Sequence, residues 1–115
     1  MRIIAGTARG RILQSPTWEG VRPTSDRLRE TLFNVLGPDV AGARLLDVCA
    51  GTGAIAIEAL SRGASSATCL ESDARSITLI AANAAHCGLG KGCIIVRGTA
   101  PEDLTGARLG GPFDL

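Results

Sequence analysis

The chain contains no tyrosine and no Pro-Pro pair, two absences that bear on catalysis below. Its four cysteines, at 49, 69, 87 and 93, form no C-x-x-C pair, which argues against a zinc site, and no metal is expected. No apolar run approaches the roughly 18 residues that a membrane span needs. The opening M-R-I-I-A-G lacks the continuous apolar stretch of a secretory signal, so the cytoplasm is the expected compartment and no membrane partner is expected. No internal repeat or low-complexity tract is visible. What remains is ordinary globular composition, with 45% hydrophobic and 20% charged residues among 115, enough for one small domain. Cys49 and Cys69 sit inside apolar runs and read as small buried hydrophobes with reduced thiols.

Charge is nearly balanced overall at +1 but unevenly placed. Residues 1–44 carry seven Arg against four acids, and residues 45–115 carry five bases against seven acids. A basic N-terminal arm before a slightly acidic body fits an anionic partner. A merely solvated surface explains the same charges equally well.

Residues 1–14 alternate loosely around Gly6 and Gly10, the pattern of two short strands and a turn. Residues 15–23 read as a loop. From Thr24 the spacing becomes helical, with Leu28, Leu32, Val35 and Leu36 on one predicted core-facing side and Gly37-Pro38 as the stop. Three short apolar runs follow, Ala43–Cys49, Ala67–Leu70 and Cys93–Val96, and Phe113–Leu115 starts a fourth. Helical stretches separate the first three: Ala54–Leu60, with Gly63 after it, and a helix capped by Ser72 or Asp73 that runs through Ala85 to Gly88. Alternating strands and helices imply a parallel sheet of order 3-2-1-4, with its ligand crevice beside strand 1.

At that point stands D-x-x-x-G-x-G, formed by Asp47, Gly51 and Gly53. Glycines let the backbone turn sharply, and the following helix aims its amides at the ligand. Two ligands compete. G-T-G-A-I-A, residues 51–56, satisfies the dinucleotide pattern G-x-G-x-x-A. Asp47 would repel a pyrophosphate but would suit the ammonium of a methionine moiety. Its alternative role is to bond the turn amides. Glu71, at the end of strand 2, can accept ribose hydroxyls from either ligand, or stand as a solvated loop acid.

Three blocks carry a family likeness: R-I-I-A-G-T-A-R-G-R-I-L at 2–13, R-P-T-S-D-R-L-R-E-T-L-F-N-V-L at 22–36, and L-L-D-V-C-A-G-T-G-A-I-A-I-E-A-L-S-R-G-A at 45–64. On them the chain resembles the RsmD-type bacterial 16S ribosomal RNA guanine-N2 methyltransferases. The third block occurs in many methyltransferases; the first two, in this order, are more specific. The resemblance implies an α/β, Rossmann-like S-adenosylmethionine-dependent methyltransferase fold, partial here, with strands 1–3 and the start of 4. An N-terminal β-hairpin and helix precede it. The expected division is an RNA-contacting arm, 1–23, and an incomplete methyltransferase domain, 24–115. Asp47, Ala50, Gly51 and Gly53 would line the S-adenosylmethionine site, with Glu71 on the ribose and Ser72 beside it. Thr24 would approach the methionine end. Gly98-Thr99-Ala100 matches an adenine-contacting G-D-A element, in which Thr99 replaces the usual Asp with a weaker, neutral acceptor. Arg2, Arg9, Arg11 and Arg22 would touch RNA phosphates.

The family's catalytic [DN]-P-P-Y loop orients a guanine amino group for in-line transfer and stacks an aromatic ring on the flipped base. No segment of 1–115 matches it, so no catalytic residue is assigned, and the loop is expected beyond Leu115. His86 reads as a surface residue rather than a base. The expected protein is a monomer acting on 16S ribosomal RNA or the small ribosomal subunit, with these 115 residues an inactive N-terminal fragment. The alternatives are a non-catalytic RNA-binding remnant and an NAD-dependent Rossmann enzyme.

Overall fold

The structure, a computed structural model, describes residues 1–18, 26–48, 51–99 and 112–115. Three parallel strands form the sheet: β1 (Arg44–Val48), β2 (Ser66–Glu71) and β3 (Cys93–Arg97). β2 lies between the others, with Arg44 opposite Ser66 and Ala67 opposite Cys93. On the free side of β1, the Leu115 N–H donates to Arg44 O (3.3 Å) and the Leu46 N–H donates to Leu115 O (3.0 Å). That pair of bonds is the spacing of a parallel ladder. It sets Asp114 and Leu115 beside β1, on the side away from β2, while the sheet of the described residues has three strands in the order 3-2-1.

Three helices pack around this sheet: α1 (Asp26–Leu36), α2 (Ala54–Ser61) and α3 (Ala74–His86). The Asp73 carboxylate accepts the Arg75 N–H at 2.8 Å, the N-terminal cap that the sequence offered. Ser76, Leu79, Ile80, Asn83 and Ala84 recur at helical spacing and form the buried side of α3, while His86 is exposed. α2 is buried on nearly every side because two layers cover it. Ala56, Ala59 and Leu60 pack in one cluster with Leu45, Ala67 and Cys69 of the sheet. Ala54 and Ile57 pack in a second with Ile3, Ala8 and Leu13 of the N-terminal arm. Cys69 is fully buried, as its apolar run suggested. Cys49 lies outside the described residues.

The arm forms the expected hairpin in short form. Among the described residues it has one antiparallel bridge, Arg2 with Ile12, flanked by bonds from the Ile3 N–H to Arg11 O (2.9 Å) and from the Leu13 N–H to Met1 O (2.8 Å). It stays short because the backbone donors of residues 4–8 turn to α2. The Ile4 and Ala5 N–H groups donate to the two oxygens of Glu58 (2.9 and 3.1 Å). The Thr7 N–H donates to Ser61 O and the Ala8 N–H to Ser61 Oγ (2.8 and 2.9 Å). Gly6 makes this approach possible. Its φ is +88°, and a Cβ there would lie 1.8 Å from Ser61 O.

α1 also corrects the sequence reading. Its buried residues are Arg29 and Phe33, whereas Leu28, Leu32 and Val35 are exposed. Of the predicted face, only Leu36 packs against the core. Electrostatics overrides the apolar stripe. The buried Arg29 guanidinium pairs with buried Glu58 (3.2 Å) and with Asp26 (3.0 Å), and contacts Arg2 O. Phe33 then lies under the Arg62 guanidinium, 4.8 Å from the ring centroid.

This orientation predicts unequal substitutions on one helix. Phe33→Ala should cost about 3–5 kcal/mol in denaturant unfolding, and Val35→Ala less than about 0.5 kcal/mol. Equal losses at both positions would mean that α1 docks through its leucine side.

Candidate functional site

The carboxyl ends of β1 and β2 bring the sequence-predicted acids together. Asp47 ends the buried part of β1, directly opposite Cys69 of β2. Glu71 closes β2. Between β1 and α2 the chain turns through Gly51, Thr52 and Gly53, and the Gly51 N–H donates to Glu71 Oε1 at 3.0 Å. The other Glu71 oxygen accepts the Ser72 and Asp73 N–H groups, each at 2.9 Å. Glu71 therefore spans the crevice between the glycine turn and the start of α3.

Gly53 is needed for two reasons. Its φ is +79°, and a Cβ would meet the Ile80 side chain at 3.0 Å. The turn can lie this close to α3 only without a side chain. Thr52 is buried, and its hydroxyl accepts the Ala54 N–H at 3.3 Å. The Gly98 N–H donates to Glu71 O at 3.0 Å, which brings the end of β3 and Thr99 to the same edge.

Asp47 carries the main electrostatic feature. Burial, and secondarily the Glu71 charge, raise its pKa from 3.8 to about 6. Two carboxylates at a half-buried crevice create a demand for a cation. Among the described residues, no cluster of His, Cys, Asp and Glu could hold a metal ion. An organic cation with a hydroxylated neighbour matches the chemistry of the two acids.

Of the other expected site residues, Thr24, Ala50, Ala100 and Arg22 lie outside the described residues. Arg2, Arg9 and Arg11 are exposed on the arm. Arg2 and Arg9 line a shallow cavity of about 310 Å³ with Ile3, Ile4, Gly10 and Asp26. Sequence reasoning missed Asn83 and Glu58. Buried Asn83 accepts the Gln14 N–H (2.8 Å) and donates to Gln14 O (3.1 Å) and Thr52 O (3.2 Å). It ties the arm to the glycine turn. The available signal was a polar residue on the otherwise apolar side of its helix.

Topology and turn together define a Rossmann-like methyltransferase domain. It superposes on the solved Escherichia coli protein yhhF with a TM-score of 0.80 and 44% identity, over 91% of this chain and 56% of that one. An RNA methyltransferase from Salinibacter ruber, solved with S-adenosyl-L-homocysteine, shares the fold at a TM-score of 0.62 and 22% identity, over 68% of this chain and 50% of that one. The family model described as "Conserved hypothetical protein 95" matches residues 1–115, and the chain belongs to this family, the RsmD-type methyltransferases. The ribosomal RNA small subunit methyltransferase D of Escherichia coli K12 is 55% identical over 73 residues, which are 64% of this chain. The match spans 37% of that relative's length.

The Asp47 shift has a definite sign. Its folded pKa lies above the unfolded value, so its contribution to stability is complete below about pH 4 and is lost as pH rises through 6. Reduced for partial contact with water, the loss is about 2 kcal/mol. Asp47→Asn should flatten the stability profile of the ligand-free chain between pH 4 and 7, as read by urea unfolding. An unchanged slope would place the titration elsewhere.

Proposed function

We propose that this chain is the donor-binding part of an S-adenosylmethionine-dependent methyltransferase that modifies the exocyclic N2 of a guanine in 16S ribosomal RNA. The observation that carries the reading is the Asp47–Glu71 pair at the switch point. The methionine ammonium answers Asp47, and the ribose hydroxyls answer Glu71. Gly51, Gly53 and Ala50 would line the turn. Ser72, Thr99 and Ala100 would face the adenosine, and Thr24 the methionine end. The names of the family's relatives support the substrate, and the ligand of the Salinibacter ruber protein supports the cofactor.

When bound, the donor supplies an activated sulfonium methyl group. This chain's residues hold and orient it. Asp47 fixes the ammonium, Glu71 the ribose, and the start of α2 presents backbone amides beside Gly53. Residues 1–23 act as the RNA arm through Arg2, Arg9, Arg11 and Arg22, and residues 24–115 as the donor domain. The protein works as a monomer in the cytoplasm, where its RNA is made. Guanine N2 is a weak nucleophile because its lone pair is delocalised into the ring. Its activation requires acceptors on the amino hydrogens, and no D-P-P-Y or N-P-P-Y loop occurs in 1–115. These 115 residues by themselves bind donor and RNA without transferring the methyl group.

Calorimetry separates this reading from a nicotinamide enzyme. S-adenosylhomocysteine should bind, NAD should not, and Asp47→Ala should weaken binding by about 10- to 100-fold, the worth of a charge-assisted hydrogen bond. Tighter binding of NAD would reject the donor reading. Affinity for 16S RNA should fall steeply with salt, and Arg9→Ala should reduce the log–log slope by about one. Methylation of that RNA by residues 1–115 would refute their inactivity.

A further inference from the structure

Trp18, the chain's sole tryptophan, belongs to no part of the function proposed above. Its ring packs on the Arg75 guanidinium, 4.8 Å from the centroid. Arg75 in turn grips the Asp73 carboxylate through Nε (3.3 Å) and Nη2 (2.9 Å). The Asp73 N–H holds Glu71 Oε2, and the Gly51 N–H holds Glu71 Oε1. Four residues before Trp18, the Gln14 backbone is bonded on both sides to Asn83, whose Nδ2 also reaches Thr52 O, next to Gly51. The contacts close a ring: glycine turn, Asn83, arm segment 14–18, Arg75, Asp73, Glu71, and the glycine turn again.

The ring constrains what Glu71 can do. A carboxylate offers about four lone-pair positions, and three backbone amides occupy Glu71. Gripping both hydroxyls of a ribose needs two positions, so one amide must let go. Oε2 is held twice, by the Ser72–Asp73 turn that Arg75 pins. Oε1 is held once, by Gly51 of the glycine turn. The bond that exchanges is therefore the one to Gly51, provided that the Asp73 turn stays fixed.

We propose that Trp18 and Arg75 are positioning residues for the donor pocket: their stack fixes the Asp73 turn, and the arm thereby sets the Glu71 carboxylate before the ribose arrives. This inference rests on the donor reading of the site. Preorganisation of this kind improves affinity without a new contact to the ligand. It also makes the arm and the donor loop one mechanical unit, so that an anionic partner on the arm and a donor at Glu71 influence each other reciprocally.

The test is calorimetric titration of the 115-residue chain with S-adenosylhomocysteine. Arg75 is largely exposed, so Arg75→Ala should leave the melting temperature nearly unchanged. It should weaken binding about two- to fivefold, the worth of an exposed cation–π pair. Trp18→Ala should do the same, and Trp18→Phe, which keeps a ring over the guanidinium, should restore affinity. In a Glu71→Gln background the Arg75→Ala loss should vanish, because the two residues act in series. Trp18 emission should shift on saturation in the parent chain and not in Glu71→Gln. Unchanged affinity in Arg75→Ala and Trp18→Ala, or equal losses with and without Glu71, would overturn the inference while leaving the donor reading intact. Absence of any binding by the parent chain would overturn both.

Discussion

The Glu58 carboxylate is the charge around which the molecule is assembled. It is fully buried in α2, yet all of its partners come from elsewhere in the structure or from the next helical turn. Arg29 approaches from α1, Arg62 from the end of α2 (2.8 Å), and two backbone amides from the arm. A buried ion in such surroundings is not a large source of net stability, because desolvation offsets most of the attraction. Its importance is geometric. Removing any one partner leaves charge or amides unsatisfied in a dry place, so arm, α1 and α2 can meet in only one arrangement. The short contact pattern at Ser61 and the bare backbone of Gly6 complete that junction.

The junction determines the site indirectly. α2 begins at the glycine turn, so the residue pair that anchors the arm, Glu58 and Ser61, also fixes the helix that follows the turn. Asn83 repeats the device at the other end, holding the arm at Gln14 and the turn at Thr52. The arm is thus not an appendage joined by a linker. It covers one side of α2, and its buried Ile3, Ala8 and Leu13 complete the second apolar cluster. A partner engaging the exposed arginines of the arm would pull on a segment already bonded, through Asn83, to the glycine turn.

Much of this architecture was legible in the sequence because it depends on local signals. The alternation of strands and helices, the Asp73 cap, the helix stop near Gly88 and the 3-2-1 part of the expected strand order all follow from periodicity, capping chemistry and crossover handedness. The error at α1 and the shortness of the hairpin share one physical origin. The leucine stripe of α1 was read by hydrophobicity alone, and the extent of the hairpin by alternation alone. In both places a long-range charge decides. Arg29 turns inward because Glu58, 29 positions later, waits there, and the arm's amides leave their ladder for the same carboxylate. A trace of this was visible: in A-I-A-I-E-A-L-S the acid has no polar neighbours to share a solvent face. A lone carboxylate in an apolar helix announces a buried partner, but not which arginine supplies it. The nearness of Asp47, Gly51 and Glu71 was legible because a glycine turn after a strand leaves few alternatives, while Asn83 and Trp18 make contacts distant in sequence.

The last step concerns why two acids face one turn. The Asp47 carboxylate is unfavourable in the free chain, first because it is buried and second because Glu71 is close, as its upward pKa displacement records. Such an arrangement costs stability in the free chain at neutral pH, and it would be relieved by protonation of Asp47 or by a ligand that brings positive charge near Asp47 while offering hydroxyl donors to Glu71. A dinucleotide meets the second condition and fails the first, since its pyrophosphate would sit against the turn closest to Asp47. A sulfonium-bearing amino acid joined to a nucleoside meets both. On the proposed donor reading the pair would work as a filter: it would select by the sign of the ligand's charge, where the glycine pattern alone admits either sign.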